Sequence, residues 1–330
     1  MPKAFVLTGP NTWAVNEVQP PAAKDGQVVI KVHAAAANPL DAKMAKEGFM
    51  IRAYPARLGV DISGTISAIG SDVTAFKVGD AVFARPQMDG FAEYSTATVR
   101  HTWKKPDNLS FEQAATIPVG TLTAVIGLFS EKGLKLTRPK DAAKPRTPEG
   151  KYILVWGGSS NVGSYAVQLA AAAGYTVIAT ASPKQRDAVL ALGAAHVVDY
   201  SAPDAVEQIR ELTKGECRLA LNAVGGDATV QAAAALRADE REPSTVVSVA
   251  ATLGAIPAGV TLLPPIFGFD PTLVDFVHEM IRNELVEYFA KNEIKPSRVK
   301  VVKGGLDGVG EALELLASKK VSGEKLVVVI

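Results

Sequence analysis

Up to about residue 120 the apolar positions come in short bursts. Lys3–Leu7, Thr12–Val18, Val28–Ala34 and Gly64–Ala68 are rich in Val, Ile, Thr and Ala, and Gly-Pro, Pro-Pro and Asp-Gly pairs separate them. Runs of this kind bounded by turn residues read as β-strands. Phe76–Ala84 repeats the pattern, with Gly79-Asp80 as its turn. The first part of the chain is therefore predicted to be β-rich.

After residue 150 the rhythm changes. Tyr152–Trp156 is a continuous apolar strand, and Val162–Ala173 is a helix that stops at Gly174. Tyr175–Ala181 reads as a strand. Pro183–Leu192 reads as a helix opened by proline and closed by Gly193. His196–Val198 follows as strand and Pro203–Lys214 as helix; Leu219–Ala223 and Thr245–Ala250 are strands with the helix Asp227–Leu236 between them. Alternating helices and uniformly apolar strands predict βαβ units around a parallel sheet buried on both faces, with right-handed crossovers. Leu134–Lys151, with three prolines, several cations and no apolar period, reads as an exposed loop between the two regimes. The tail holds helices at Thr272–Lys291 and Gly308–Ala317 and a last strand at Lys325–Ile330.

Composition adds exclusions. The 330 residues carry 35 basic and 34 acidic side chains, a net charge of +1, with 48% hydrophobic residues. This is a globular composition at about two domains' length. It shows no electrostatic footprint for nucleic acid or for an anionic membrane. No apolar run reaches the ~18 residues of a bilayer span, and Met1–Leu7 does not open a signal peptide. A cytoplasmic protein without nucleic-acid or membrane partners is expected. Cys217 is the single cysteine, so neither an intrachain disulfide nor a cysteine-rich zinc site can form. His33, His101, His196 and His278 lack metal-ligand spacing, and no metal is expected.

The informative stretch is Ile153–Gly163, Ile-Leu-Val-Trp-Gly-Gly-Ser-Ser-Asn-Val-Gly. A strand runs through a small-residue turn into a helix, whose N-terminus offers unpaired N–H groups and about half a positive charge to a pyrophosphate. Gly158 and Gly163 have P-loop spacing, but Ser164-Tyr165 follows where that motif needs Lys-Ser/Thr. Gly157–Asn161 resembles a hydrolase elbow but ends in Asn. Alone, the loop fits a dinucleotide site and a structural turn equally; the βαβαβ context favours the dinucleotide. An NAD site places an acid about 20 residues further on. Here Ala179–Arg186 has none, and Asp187 is already inside the helix. Ser182, Lys184 and Arg186 offer a hydroxyl and cations, which suit a 2′-phosphate; the plain alternative is a solvated helix start. Cations are unfavourable at that end of a helix, which favours the phosphate.

Several motifs resemble the medium-chain dehydrogenase/reductase superfamily, in its zinc-independent quinone- and enoyl-reductase branch. They are Ala37-Asn-Pro-Leu-Asp-Ala-Lys43, Gly59-Val-Asp-Ile-Ser-Gly64, Val78-Gly-Asp-Ala-Val82, Gly90-Phe-Ala-Glu-Tyr94, Leu122-Thr-Ala124, the glycine loop and Lys320-Val-Ser-Gly-Glu-Lys-Leu-Val327. The loop wording and tail look most like fungal toxD-like trans-acting enoyl reductases. The resemblance implies an α/β protein with a Rossmann parallel-sheet NADP-binding domain, 121–269, inserted in a GroES-like β-rich catalytic domain, 1–120 and 270–330. The active site would be the cleft between them. Zinc-dependent members carry a ligand Cys at the position of Asn38 and a His at that of Val60; both are absent.

The resemblance also implies site residues. Asn38, Leu40 and Asp41 should border the nicotinamide, with a turn-holding, structural role as the alternative for Asp41, and Thr123 should face it from a helix start. Ser160, Asn161, Val162 and Gly163 should contact the pyrophosphate, with Ser160-Asn161 where many members have Gly-Gly. Ser182, Lys184 and Tyr200 should hold the 2′-phosphate and adenine. Ala250 and Ala251 should pass the carboxamide, and Val321 and Ser322 should close over the cofactor. Lys43 is the catalytic candidate, as donor to a developing enolate; the plain alternatives are a surface lysine or a cofactor contact. Asp61 reads as structural. The expected activity is NADPH-dependent reduction of an activated carbon–carbon double bond, in a small enone or enoyl substrate, free or carried by an acyl-carrier domain of a polyketide synthase. A detoxifying quinone or alkenal reductase and a non-catalytic NADPH sensor are the alternatives.

Overall fold

The computed structural model describes residues 1–139, 151–252, 254–266 and 270–330. The loop reading at Leu134–Lys151 therefore falls largely, at 140–150, outside the described residues. Two units form, one from Met1–Val119 with His278–Ile330, the other from Gly120–Val277.

The first unit is built on the strand Gln27–Ala36, in which only Lys31 is fully exposed. It pairs antiparallel with Ile62–Ile69, Tyr94–Thr98 and the last strand, Lys325–Val329. Its ladder with Ile62–Ile69 slips twice, between Val29 and Ile30 and between Val32 and Ala34. Such bulges bend a strand. After the second slip, Ala34, Ala35 and Ala36 are all buried, and small side chains fit there. The core holds Phe5, Leu7, Ile30, Leu58, Ile62, Phe91 and Leu326. Two helices pack over it, Pro39–Glu47 and Val309–Ala317. Leu326 and Val328 thus bring the end of the chain into the core laid down by its beginning.

The second unit holds six parallel strands in the order His196–Val198, Thr176–Thr180, Tyr152–Trp156, Leu219–Asn222, Ser244–Ser248, Val260–Leu262. The strand order reverses beside Tyr152–Trp156, and open sheets of this kind bind ligands at the carboxyl ends of strands at such a switch. Ile153, Leu154 and Val155 are fully buried, as a sheet covered on both faces requires. The helices Asn161–Ala172 and Ala205–Leu212 match the predicted ones to within two residues. The Pro183–Leu192 helix is shorter, a 3-10 turn at Pro183–Gln185 followed by α-helix to Leu190. Three helices exceed the sequence reading: Pro39–Glu47, Phe111–Ala115 and Pro118–Phe129. The helix expected at Thr272–Lys291 contains a π turn, Ile281–Leu285. Among the described residues no helix is long and apolar enough to cross a membrane.

Cys217 is fully buried beneath this sheet, and burial pushes its thiol up to about 12. A buried thiol with so little thiolate is inert. A disulfide reagent should therefore titrate no thiol in the native protein and one in denaturant; a native thiol reacting within minutes would contradict this packing.

Candidate functional site

In the second unit, the glycine turn is pinned by the end of the neighbouring strand. Gly157 N–H donates to Thr180 Oγ1 at 2.9 Å and Gly158 N–H to the Thr180 carbonyl at 2.8 Å. Ser160 is the N-cap of Asn161–Ala172, and its Oγ accepts from Gly163 N–H at 3.0 Å. Ser164 N–H goes to the Ser160 carbonyl, which leaves Val162 N–H without an acceptor among the described residues. The turn is tight: a Cβ on Gly163 would lie 2.1 Å from the Gly157 carbonyl oxygen. The side chains that replace Gly-Gly are spent inward. Ser160 caps the helix, and Asn161 Oδ1 sits where a Cβ on Gly120 would lie 2.1 Å away. An open N–H at a helix N-terminus beside a turn free of acids fits a phosphate group.

The other second-unit residues lie at the same edge of the sheet. Ser182 follows Thr176–Thr180 and Tyr200 follows His196–Val198, adjacent strands joined by Ala181 N–H to the Val198 carbonyl. Lys184 is exposed and makes no ion pair among the described residues; Tyr200 is also exposed. Ala250 and Ala251 follow Ser244–Ser248. Their approach is set by Asn222, fully buried, whose Nδ2 donates to Thr229 Oγ1 and Ser248 Oγ, while its Oδ1 accepts from Val224 and Gly225 N–H. Thr123 is the sixth residue of Pro118–Phe129, not at a helix start. The helix begins earlier because Pro118 supplies its first turn, where a missing N–H costs nothing.

In the first unit, Asn38, Asp41, Asp61 and Lys325 form one buried network. The Lys325 ammonium lies 2.5 Å from Asn38 Oδ1 and 3.0 Å from Asp61 Oδ2. Asn38 Nδ2 donates to Asp61 Oδ2 at 2.9 Å, and Asp61 Oδ1 accepts from Val119 N–H at 2.7 Å. Asp41 closes a capping box, accepting Asn38 N–H at 2.9 Å, and also holds Gly59 N–H at 3.2 Å. Burial raises the Asp41 carboxyl to about 6, against those two hydrogen bonds. Leu40 packs half-buried on the core of this unit, as does Val321; Ser322 is exposed, three residues before Lys325. Lys43 stands outside the network: it is exposed, with Nζ 4.4 Å above the Phe49 ring. Lys325 lies inside the Lys320–Val327 motif but nothing in the motif singles it out, and Asn222 lies in no motif. A lone lysine opening an apolar strand and an asparagine closing one are the local signals that could have found them.

The donor set at Asn38 does not suit a metal. Its two side-chain oxygen groups, Asn38 Oδ1 and Asp61 Oδ2, are both held by an ammonium, and Val60 is apolar. No group of His, Cys, Asp or Glu among the described residues could hold a metal ion.

Two outcomes test the network. Lys325→Met leaves the Asp61 carboxylate buried without its cation, so unfolding free energy should fall by about 3–5 kcal/mol; adding Asp61→Asn should return part of it. A loss below about 1 kcal/mol, the range of an exposed pair, would contradict the burial. For Asp41, a carbon-13 titration should show a midpoint at about 6. Lys325 lowers and Asp61 raises that value, so Lys325→Met should move the midpoint up and Asp61→Asn down. Because the folded value lies above the ordinary 3.8, the Asp41 contribution to stability is complete below that value and is lost as pH rises through about 6.

Comparison with known proteins places this geometry. The family model of the alcohol dehydrogenase GroES-like domain matches residues 24–131, and that of zinc-binding dehydrogenases matches residues 161–269. The chain is 34% identical over 332 residues to the enoyl reductase component lovC of the lovastatin nonaketide synthase of Aspergillus terreus, covering 92% of this chain and 88% of that one. It is 34% identical over 317 residues to the trans-enoyl reductase himH of Aspergillus japonicus, covering 92% and 90%. The solved CurK enoyl reductase superposes with a TM-score of 0.81 at 25% identity, covering 99% of each chain. The chain belongs to the medium-chain dehydrogenase/reductase superfamily, in the quinone- and enoyl-reductase branch that includes the fungal trans-acting enoyl reductases.

Proposed function

We propose that the chain is an NADPH-dependent reductase of an activated carbon–carbon double bond, working without zinc. The observation that carries this reading is the edge of the sheet where the Gly157–Gly163 turn, Ser182, Lys184 and Tyr200 follow three adjacent strands, with no acid in the turn or between Ala179 and Arg186 and the carboxylate of Asp199 turned to Ser201. Val162 N–H and the helix behind it would hold the pyrophosphate; Ser182 and Lys184 would hold the 2′-phosphate. When bound, the reduced nicotinamide supplies a hydride. The relatives lovC and himH, both described as enoyl reductases, support an enoyl or enone substrate, free or presented by an acyl-carrier domain of a polyketide synthase. Zinc independence is supported by the Lys325 ammonium at Asn38 and Asp61.

The chain's own part in the chemistry is charge stabilisation and positioning. Reduction at the β-carbon moves negative charge onto the carbonyl oxygen, and a cationic donor placed there stabilises it. Lys43 is that donor in this reading. Its stem leaves the Pro39–Glu47 helix, whose first turn is locked by Asn38 and Asp41, and its ammonium rests on Phe49 with three N–H donors available. Asn38 and Asp61, both engaged by Lys325, hold the start of that helix.

The test is direct. Mixed with a small enone, the protein should oxidise NADPH in one-to-one stoichiometry with the saturated product. NADPH should bind at least about tenfold more tightly than NADH, since each charge-assisted hydrogen bond contributes about 1.5–3 kcal/mol; Lys184→Ala should narrow that gap. Binding of NADPH with no turnover on any enone would point to a sensor, and turnover confined to quinones to a quinone reductase. Lys43→Ala should lower kcat and kcat/KM together by about tenfold or more. If kcat stays intact and only the NADPH dissociation constant rises, Lys43 is a cofactor ligand instead.

A further inference from the structure

The first unit carries a cavity lined by none of the residues assigned above. It has a volume of about 320 Å³ and is lined by the apolar Phe76, Trp103 and Val286 together with Lys104, His278 and Arg282. That is the lower end of the ~300–1,000 Å³ typical of small-molecule sites. Two of its basic side chains, Lys104 and Arg282, are not consumed by the described residues. Lys105, one residue on, is tied to the carbonyls of Pro106 and Leu109 at 3.0 and 2.6 Å. The side chains of Lys104 and Arg282, by contrast, have no hydrogen bond or ion pair among the described residues.

Two further observations point to an anion. Arg282 belongs to the π turn Ile281–Leu285, and such turns inside helices gather at functional sites. The acid of that turn, Glu284, is buried and does not line the cavity. The field nearby is also positive: His101 is pushed down to about 4, first by burial and then by Arg85, His278 and Arg100. Trp103 is itself rigid, stacked on Phe83 with centroids 5.6 Å apart and donating from its indole N–H to the His278 carbonyl.

We propose that this cavity binds a small amphiphilic carboxylate, an aromatic or branched aliphatic acid, its apolar body on Trp103 and Phe76 and its carboxylate between Lys104 and Arg282. A guanidinium and an ammonium make charge-assisted bonds to a carboxylate. A neutral molecule of the same shape would leave both cations unpaired. Inorganic phosphate would leave the apolar lining empty.

The test titrates the full chain with 4-phenylbutyrate by calorimetry and follows the Trp103 indole resonance, assigned by its loss in Trp103→Phe. One-to-one saturable binding with a shift of that resonance is expected. Affinity should fall at least about tenfold for the neutral 4-phenylbutanamide and for the double variant Lys104→Met/Arg282→Met, and should weaken as salt is raised. Both substituted positions are exposed, so the thermal midpoint should not change. Saturating NADPH should leave the affinity unaltered. The proposal is overturned by an absence of saturable binding up to about 10 mM, far weaker than any specific site. Equal affinity for acid and amide, equal affinity of the double variant, or competition by NADPH would overturn it as well.

Discussion

Lys325 is the contact through which the first unit is assembled. Its ammonium reaches Asn38 across 287 residues of sequence and Asp61 across 264. The strand it opens pairs with Ala34–Ala36. A buried ion pair adds little net stability, because desolvation offsets the attraction. It is costly to misplace, however, and that makes it a register mark. If the Lys325–Val329 strand slipped by one residue, the cation would move to the wrong face of the sheet. Asp61 would then be left alone at the foot of the Pro39–Glu47 helix.

The second unit depends on a different constraint, close approach of backbone to backbone. Its glycine turn works because Thr180 takes two N–H groups from it and because no side chain stands at Gly163. The polar atoms of Ser160 and Asn161 lie elsewhere than at Val162 N–H: one caps the helix at Gly163 N–H, the other packs on Gly120. The open N–H of Val162 is thus a product of where its neighbours' polar atoms go. In this sense capping and phosphate affinity are one property of the same helix terminus.

These two constraints differ in how far they are legible in sequence. Tyr152–Trp156 can be read residue for residue, since a buried parallel strand is apolar throughout, and His196–Val198, which opens on an exposed histidine, can be read because the helix before it ends at a glycine. Pro118–Phe129 cannot: it is apolar on every face and includes two glycines and two threonines, so it shows no helical period. Burial, not propensity, makes it helical. Pro39–Glu47 is visible only through its cap, Asn38 with Asp41 three residues on, a weaker form of the Ser/Thr-x-x-Glu signature. The glycine turn is local and its residues can be named in advance. The Lys325 network is nonlocal; no window of sequence contains it.

In the proposed reaction, lysines 43 and 325 would have different roles. A metal ion can both fix ligands and polarise a substrate, because it keeps a coordination position open. An ammonium held like that of Lys325 fixes Asn38 and Asp61 but is engaged by them, so it stabilises the frame and not a reacting oxygen. Lys43 has the opposite character: it is exposed and rests on an aromatic ring, and its donors meet no acceptor oxygen among the described residues. Only a donor of the second kind can strengthen its bonds as charge develops, which is the requirement for accelerating a step and not merely binding a ground state. The proposed reaction would thus use a fixed frame at Asn38 and Asp61 and an exposed donor at Lys43.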